Sequence, residues 1–154
     1  MQPIEIYTDG SCHTQQRKGA WASVIFIDGK KISLKGEEQD TTHHRMELLS
    51  VIKSIEYLDE KLHQADLIVY TDSQYVSGIT ERMGKFIKNN FLTKKGTAIQ
   101  NVDLVKTLIK LIDSHSIQFV KVKAHQKSDD KATLLNREVD TLSRKMVRKM
   151  VNGY

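Results

Sequence analysis

Two apolar segments of the sequence each run into an aspartate. Residues 4–12 alternate apolar and polar side chains and contain Asp9, whereas residues 67–73 are apolar on both faces and contain Asp72. Alternation is typical of a half-buried strand, and a short continuous apolar run is typical of a central strand covered on both sides. A carboxylate where such a strand stops is costly unless a cation or a hydrogen-bond donor faces it. The pattern predicts that Asp9 and Asp72 lie side by side at one edge of a sheet.

Two further acidic residues fall on predicted helices that adjoin these strands. Glu47 lies in the first turns of a helix between the two strands, and Asp140 lies near the start of the last helix. Taken singly, each is typical of an acidic residue favoured by the helix dipole, and the pair Asp9-Gly10 is typical of a plain turn. Four converging acids would repel one another unless a cation lay between them. Because hard oxygen ligands suit Mg²⁺ or Mn²⁺, the joint pattern favours a divalent metal site.

The elements that would position these acids follow a clear order along the chain. Asp28-Gly29 joins two apolar runs and predicts a hairpin, so the first three strands form an antiparallel meander. Thr41 or Thr42 is placed to cap the next helix, and Asn101 to cap a later one. The remaining elements are a strand at 67–73, a last strand at 117–125, a polar loop at 126–136 and a final helix. The sequence therefore predicts an α/β fold with a five-stranded mixed sheet flanked by helices.

Composition limits the classes of protein that remain. The chain has 154 residues, one proline and one cysteine, Cys12. We expect a single domain over residues 1–154, because nothing in the composition divides the chain. A lone thiol suits a reducing compartment, and the first residues lack the pattern of a secretory signal. We therefore expect a soluble, unprocessed, cytoplasmic protein with no membrane partner.

Basic residues are concentrated in one part of the sequence. Lysine and arginine total 24 against 19 acidic residues, a net charge of +5, which favours a polyanionic partner. Residues 81–96 interleave basic side chains with Phe86 and Phe91. A second basic group near the C-terminus is typical of a solvated helix end. The two groups are Arg82, Lys85, Lys88, Lys94 and Lys95, and then Arg144, Lys145, Arg148 and Lys149.

Six short strings resemble those of the type 1 ribonuclease H family, the free-standing cellular enzymes. They are YTDGSC with Asp9, TTHHRMEL with Glu47, TDSQYV with Asp72, NVDL with Asn101, VKAH with His125 and NREVD with Asp140. Each string alone is weak, but together they are specific, run in the family's order and span almost the whole chain. The basic segment is also similar to the basic protrusion of some members. The resemblance implies a ribonuclease H-like fold.

The resemblance also implies an activity and a set of site residues. It implies an endonuclease that hydrolyses the RNA strand of RNA/DNA hybrids with two Mg²⁺ ions, for which Mn²⁺ substitutes, and leaves 3′-hydroxyl and 5′-phosphate ends. We expect a monomer. The implied catalytic residues are Asp9, Glu47, Asp72 and Asp140 as metal ligands, with His125 assisting proton transfer or the release of product and metal. The implied substrate contacts are Thr42 and Asn101 to a DNA phosphate, His43, His44 and Gln74 to the minor groove and both backbones, and Lys85 and Lys88 in the basic segment.

The sequence departs from the family at two places that bear on activity. His43 and His44 stand where relatives usually carry asparagine-rich or Asn/Gln pairs. His125 and Asp140 are further apart than in relatives, so a loop at 126–136 would tether the histidine loosely. We then expect His125→Ala to lower turnover by less than a firmly positioned acid–base group would. The alternative is that KATLLNREV folds as an extra helical turn and holds His125 firmly.

Three other interpretations stay open on the residues alone. A transposase or integrase core of the same superfamily also uses carboxylates to bind two metal ions. A non-catalytic module could bind a hybrid through the basic segment, with Phe86 and Phe91 as stacking surfaces. His13, His43 and His44 could instead form a zinc site, although they lack the thiolate ligands typical of closed sites.

Overall fold

Five strands form one mixed sheet in the computed structural model, which describes residues 2–61, 64–123 and 130–153. The strands are β1 (Ile4–His13), β2 (Lys18–Ile27), β3 (Lys30–Glu38), β4 (Leu67–Thr71) and β5 (Ile117–Lys121). Their order across the sheet is β3-β2-β1-β4-β5. Strands β1 to β3 pair antiparallel, while β4 pairs parallel with both β1 and β5. The predicted mixed sheet with an antiparallel meander is confirmed.

The helices of the described residues connect and cover these strands. They are α1 (His43–Glu60), α2 (Gln74–Ser77), α3 (Ile79–Lys88), α4 (Val102–Ser114) and α5 (Lys131–Asn152). Thr42 caps α1 by accepting a hydrogen bond from the backbone nitrogen of Arg45 at 3.2 Å. No helix in these residues is long and apolar enough to cross a bilayer.

The alternation of β1 divides the core into two layers. Ile4 and Ile6 pack with α1 and α4 on one face of the sheet. Tyr7 packs on the opposite face with Leu135 and Val139 of α5. Burial of these apolar side chains on both faces supplies most of the driving force for folding. The sheet is consequently held between α1 and α4 on one side and α5 on the other.

The hairpin between β2 and β3 has the predicted turn. Asp28 has φ 51° and Gly29 has φ 76°, so both central residues adopt the left-handed region. Two-residue hairpin turns of this kind match the twist of the strands they join. The turn sets the register that pairs Ile27 with Lys30.

Asp9 does not lie at the end of its strand, contrary to the prediction. Strand β1 continues to His13, and Asp9 pairs with Ala22 of β2. The parallel pairing of β1 with β4 runs only from Ile4 to Tyr7. Asp9 therefore lies within β1 but beyond the last residue that pairs with β4, and this opening on one side leaves room for Asp72.

Helix α5 begins earlier than predicted. It starts at Lys131, because Asp130 accepts a hydrogen bond from the backbone nitrogen of Thr133 at 2.8 Å and caps the helix. Asp140 therefore lies in the third turn of α5 and not near its start. Residues 131–136, predicted as loop, are helical, which agrees with the alternative of extra helical structure in this segment, and the tethering of His125 stays a prediction. His125 itself lies outside the described residues.

The last strand is also shorter than predicted. Strand β5 ends at Lys121, whereas the apolar alternation extended the prediction to residue 125. Beyond the strand, the backbone nitrogen of Val122 donates to the carbonyl of Thr71 at 2.7 Å. This bond keeps the chain beside β4 up to the residue that precedes Asp72.

Candidate active site

The glycine after Asp9 is required by a close approach of α1 to β1. A Cβ on Gly10 would lie 2.4 Å from the backbone nitrogen of Glu47 and 2.4 Å from the carbonyl carbon of Met46. No side chain fits at such distances from backbone atoms. Because Gly10 lies within β1 and pairs with Trp21, the alternative of a plain turn at Asp9-Gly10 is wrong. The missing side chain allows α1 to bring Glu47 beside Asp9, and both residues are only 5% exposed.

Helix α5 completes the site from the other face of the sheet. The hydroxyl of Ser143 donates to Oδ2 of Asp9 at 3.0 Å and to the carbonyl of Asp140 at 3.1 Å. Ser143 is fully buried. This serine, which the sequence did not single out, joins the carboxylate on β1 to the turn of α5 that carries Asp140.

The acids on the two strands and on α5 act on one another electrostatically. Burial first, and then the charges of Asp72 and Asp140, together raise the pKa of Asp9 to about 9. The pKa of Asp72 is raised by burial and then by Glu47 and Asp140. Mutual repulsion and burial therefore oppose the ionisation of Asp9 and Asp72 in the absence of a cation. The structure thus brings together the four carboxylates that the sequence indicated.

Glu47 differs from Asp9 and Asp72, because two imidazoles lie against its carboxylate. His44 Nδ1 is 2.9 Å from Oε1, and His43 Nε2 is 3.3 Å from Oε2. Although burial raises the pKa of Glu47, hydrogen bonds from His43 and His44 bring it below its usual value. The same bond to Glu47 raises the pKa of His43. The two histidines predicted to contact substrate therefore also hold a carboxylate.

The four carboxylates suit a divalent cation by their chemistry but not yet by their spacing. The donors are carboxylate oxygens, which suit Mg²⁺ or Mn²⁺, and their crowding favours a cation among them. However, no three histidine, cysteine, aspartate or glutamate side chains within the described ranges already lie close enough to form a metal site. The donor set fits the ion by chemistry, but its ligands would have to move inward. The zinc site of His13, His43 and His44 has no support, because the ring nitrogens of His43 and His44 contact Glu47 instead.

The predicted phosphate contacts lie at the starts of two helices that Arg45 joins. Arg45 donates to both carboxylate oxygens of Asp103 at 2.9 and 3.1 Å and to Glu38 at 3.0 Å. Thr42 precedes α1, and Asn101 precedes α4. Asn101 is the N-cap residue of α4, as predicted, but its backbone is left-handed with φ 56° and its side chain makes no capping bond. The Asn101 amide is consequently not used in capping α4.

The basic segment offers fewer cations than the sequence suggested. Lys85 and Lys88 are exposed on α3, and Gln74 is exposed at the start of α2. Arg82, in contrast, donates from Nε to the carbonyl of Gly78 at 3.2 Å and lies over the ring of Tyr75. These contacts engage the guanidinium within the protein. The accessible basic face of α3 is therefore carried by its lysines.

Relatives and solved structures agree on one family. The model of the RNase H family matches residues 1–148. The ribonuclease H of Caldicellulosiruptor saccharolyticus is 36% identical over 152 residues, which cover 97% of this chain and 99% of that one. The ribonuclease H of Xanthomonas campestris is 36% identical over 145 residues, which cover 94% of this chain and 91% of that one.

Solved structures with a similar fold include ribonuclease H domains. A crystal structure of a type 1 RNase H with the type 2 active-site motif aligns with a TM-score of 0.79 at 21% identity, and covers 96% of this chain and 74% of that one. The solution structure of the PFV RNase H domain aligns with a TM-score of 0.75 at 18% identity, and covers 92% of each chain. Because the family model spans nearly the whole sequence and the relatives match over almost their full lengths, this chain belongs to the ribonuclease H family and is a ribonuclease H enzyme.

Proposed function

We propose that this enzyme cleaves the RNA strand of RNA/DNA hybrids at internal positions and leaves 3′-hydroxyl and 5′-phosphate ends. The observation that carries the proposal is the burial and crowding of Asp9 and Asp72 among the acids of the site, which disfavours the charged forms of these two residues in the absence of a cation. A foamy viral protease-reverse transcriptase that contains a similar fold, with a TM-score of 0.74 at 18% identity, was solved in complex with an RNA/DNA hybrid. The proposal covers residues 1–154 as one catalytic domain.

The four acids are proposed to hold two Mg²⁺ ions, for which Mn²⁺ substitutes. When bound, such ions lower the pKa of an attacking water and stabilise the oxygen that leaves the phosphorus. Ser143 orients the carboxylate of Asp9, and His44 orients that of Glu47. These contacts restrict the rotation of the two carboxylates, while the four acids must still move closer together to hold the ions. His125 is proposed to assist proton transfer or the release of product and metal, a role taken from the family motif alone.

The substrate is proposed to lie across the starts of α1, α2 and α4. Thr42 and Asn101 would hold a phosphate of the DNA strand, and the Arg45–Asp103 ion pair supports this pairing because it ties the two helix starts together. His43, His44 and Gln74 are exposed and would contact the minor groove, where 2′-hydroxyls distinguish RNA from DNA. Lys85 and Lys88 would contact backbone phosphates.

The enzyme is further proposed to act as a monomer in the cytoplasm. The single thiol of Cys12 suits a reducing compartment, and this is the support that the chain itself offers.

A cleavage assay on matched duplexes tests the proposal. The same sequence is prepared as an RNA/DNA hybrid, an RNA/RNA duplex and a DNA/DNA duplex, with each strand labelled in turn, and incubated with Mg²⁺ or with chelator. We expect cleavage of the RNA strand of the hybrid alone, at internal positions, and none with chelator. Ligation of the products to an adaptor that requires a 5′-phosphate checks the ends. Joined DNA products would indicate a strand-transfer enzyme, and a hybrid that is bound but uncut would indicate a binding module.

A further inference from the structure

A stack of side chains leads from α3 to the carboxylate of Glu47. The imidazole of His44 lies on the ring of Tyr75, with centroids 4.2 Å apart and planes inclined by 22°. The guanidinium carbon of Arg82 is 5.1 Å from the centre of the same ring. Arg82 also donates hydrogen bonds to the backbone carbonyls of Tyr75 and Gly78. Three planar groups from α1, α2 and α3 are thus arranged in sequence behind Glu47.

The two histidines that contact Glu47 are supported differently. His44 is flat against Tyr75, and its Nδ1 is 2.9 Å from Oε1. His43 meets the His44 ring nearly edge-on at 6.2 Å, and its Nε2 is 3.3 Å from Oε2, a longer contact. Stacking of an aromatic pair restricts the torsion angles of both side chains and adds to the stabilisation given by burial. The contact of His44 with Oε1 is therefore the better fixed of the two.

We infer that Tyr75 is a positioning residue for the reaction, which acts on Glu47 through His44. The Tyr75 ring holds the imidazole of His44 flat, and that imidazole in turn holds Oε1 of Glu47. Oε2 of Glu47 contacts the less firmly held His43, which can be displaced from it. Through Arg82, the same ring fixes this arrangement to α3, the helix that carries Lys85 and Lys88. Loss of the ring releases His44, so that Glu47 departs from its orientation while the lysines stay in place. This role rests on the proposed function of Glu47 as a metal ligand.

The stacked geometry is tested first without metal or substrate. The ring-proton signals of the histidines are recorded by NMR in the metal-free enzyme, and His44→Asn identifies the His44 signal. Stacking on an aromatic face moves that signal upfield. Tyr75→Phe keeps a ring and is expected to keep the shift, whereas Tyr75→Leu is expected to lose it. A His44 signal unchanged in Tyr75→Leu would overturn the stack.

Tyr75 also contacts the apolar core, so kinetic measurements are needed to separate its positioning of His44 from its contribution to core packing. For Tyr75→Leu we expect a kcat lower by about 10- to 100-fold and a higher Mg²⁺ concentration for half-maximal rate, as is typical of a misplaced catalytic group. The KM for the hybrid should stay within about 2-fold, because uniform binding is retained. Tyr75→Phe should restore kcat. The control for a general loss of stability is Tyr57→Leu, which removes a tyrosine that is also half-buried but lies on α1.

Each result decides the inference. If Tyr75→Leu loses thermal stability to the same degree as Tyr57→Leu but keeps the kcat and Mg²⁺ requirement of the wild type, Tyr75 is a packing residue only. If Tyr75→Phe is as impaired as Tyr75→Leu, the ring is not what matters and the inference is wrong. Should Tyr75→Leu fail to fold, Arg82→Met removes the cation from the same ring and is expected to lower kcat in the same direction, and an unchanged kcat would overturn the inference. A wild-type enzyme that leaves the hybrid uncut would instead refute the proposed function, with the NMR result unaffected.

Discussion

A Cβ on Gly10 would lie 2.4 Å from the backbone nitrogen of Glu47. The first turns of α1 therefore rest directly on β1, one residue after Asp9. This contact determines how near the carboxylate carried by the helix lies to the carboxylate carried by the strand. It also explains why a glycine occupies position 10, which lies within a strand and not in a turn.

We predict that Gly10→Ala impairs both folding and catalysis. The added methyl group meets backbone atoms that cannot rotate away, and overpacking of this kind costs about 1–3 kcal/mol of unfolding free energy. Because α1 must shift, kcat should fall as well. Urea unfolding and single-turnover cleavage measure the two effects. Gly84→Ala is the matched control, since a Cβ there meets nothing within 4 Å on helix α3. Equal stability of the two variants would contradict the close approach.

Replacement of Asp9 by asparagine should stabilise the metal-free protein. Burial, Asp72 and Asp140 raise the pKa of Asp9 from 3.8 to about 9, so its ionisation favours the unfolded chain. The unfolding free energy of the wild type should consequently fall as the pH rises through this interval, and Asp9→Asn should remove that part of the slope. At neutral pH we expect the variant to be more stable by at least about 1 kcal/mol, with the difference vanishing near pH 4.

Thermal or urea unfolding in chelator measures this difference. Saturating Mg²⁺ should narrow it, because a ligand that binds the folded wild type stabilises that state. An Asp9→Asn variant less stable than the wild type at neutral pH would show that the acids do not repel one another.

An ion pair far along the chain from the site should make stability depend on pH. His115, whose side chain is 19% exposed, places Nε2 2.7 Å from Asp59 and Nδ1 2.8 Å from the carbonyl of Leu111. Burial lowers the pKa of His115, but Asp59 and that carbonyl raise it above 6.5 overall. The stabilisation is therefore complete below pH 6.5 and lost as the pH rises through the folded-state pKa.

Asp59→Asn should remove that stabilisation. We expect a loss of about 0.5–1 kcal/mol of unfolding free energy at about pH 5.5 and almost none at about pH 8.5, because the pair is partly exposed. Asp113→Asn removes an exposed acid from α4 and serves as the control. A loss that is equal at both pH values would mean that the charge of His115 is not involved.

The lysines of α3 should contribute to hybrid binding, and those of α5 should not. Replacement of Lys85 and Lys88 by alanine should weaken binding and lower the slope of log affinity against log salt by about 0.7–0.9 for each phosphate that no longer meets a lysine. Replacement of Lys145 and Lys149 removes the same charge from an exposed face of α5. Fluorescence anisotropy across a salt series compares the pairs, with Ca²⁺ in place of Mg²⁺ to limit cleavage. Equal slopes for the two double variants would show that only net charge matters.

Local patterns were sufficient to predict most of the fold. The alternation along residues 4–12 predicted the first strand, and Asp28-Gly29 predicted the hairpin, because both patterns depend on neighbouring residues only. The length of β1 was not predictable, because it depends on β2 pairing beyond the point where β4 stops. The start of α5 was misplaced because the cap at Asp130 lay inside a polar segment that resembled a loop, although Leu134 and Leu135 already suited the alternative of a helical turn.

The site divides in the same way. The motif strings indicated the four acids. His43 and His44 lie four and three residues before Glu47, a spacing that predicts side-chain contact on a helix. Their assignment to substrate contacts obscured this signal. Contacts between distant segments left no comparable signal. Ser143 reaches Asp9 across 134 residues, and Tyr75 meets His44 only because α2 folds beside α1.

The carboxylates of this site are proposed to hold the metal ions on which cleavage depends. The most direct test of this proposal is the single-turnover rate of RNA-strand cleavage by Asp72→Asn in saturating Mg²⁺, with hybrid affinity measured alongside. Because the substitution removes a ligand charge worth several kcal/mol to the transition state, we predict a rate at least about 100-fold below that of the wild type, with affinity nearly unchanged. A rate equal to that of the wild type would contradict the assignment of the metal site.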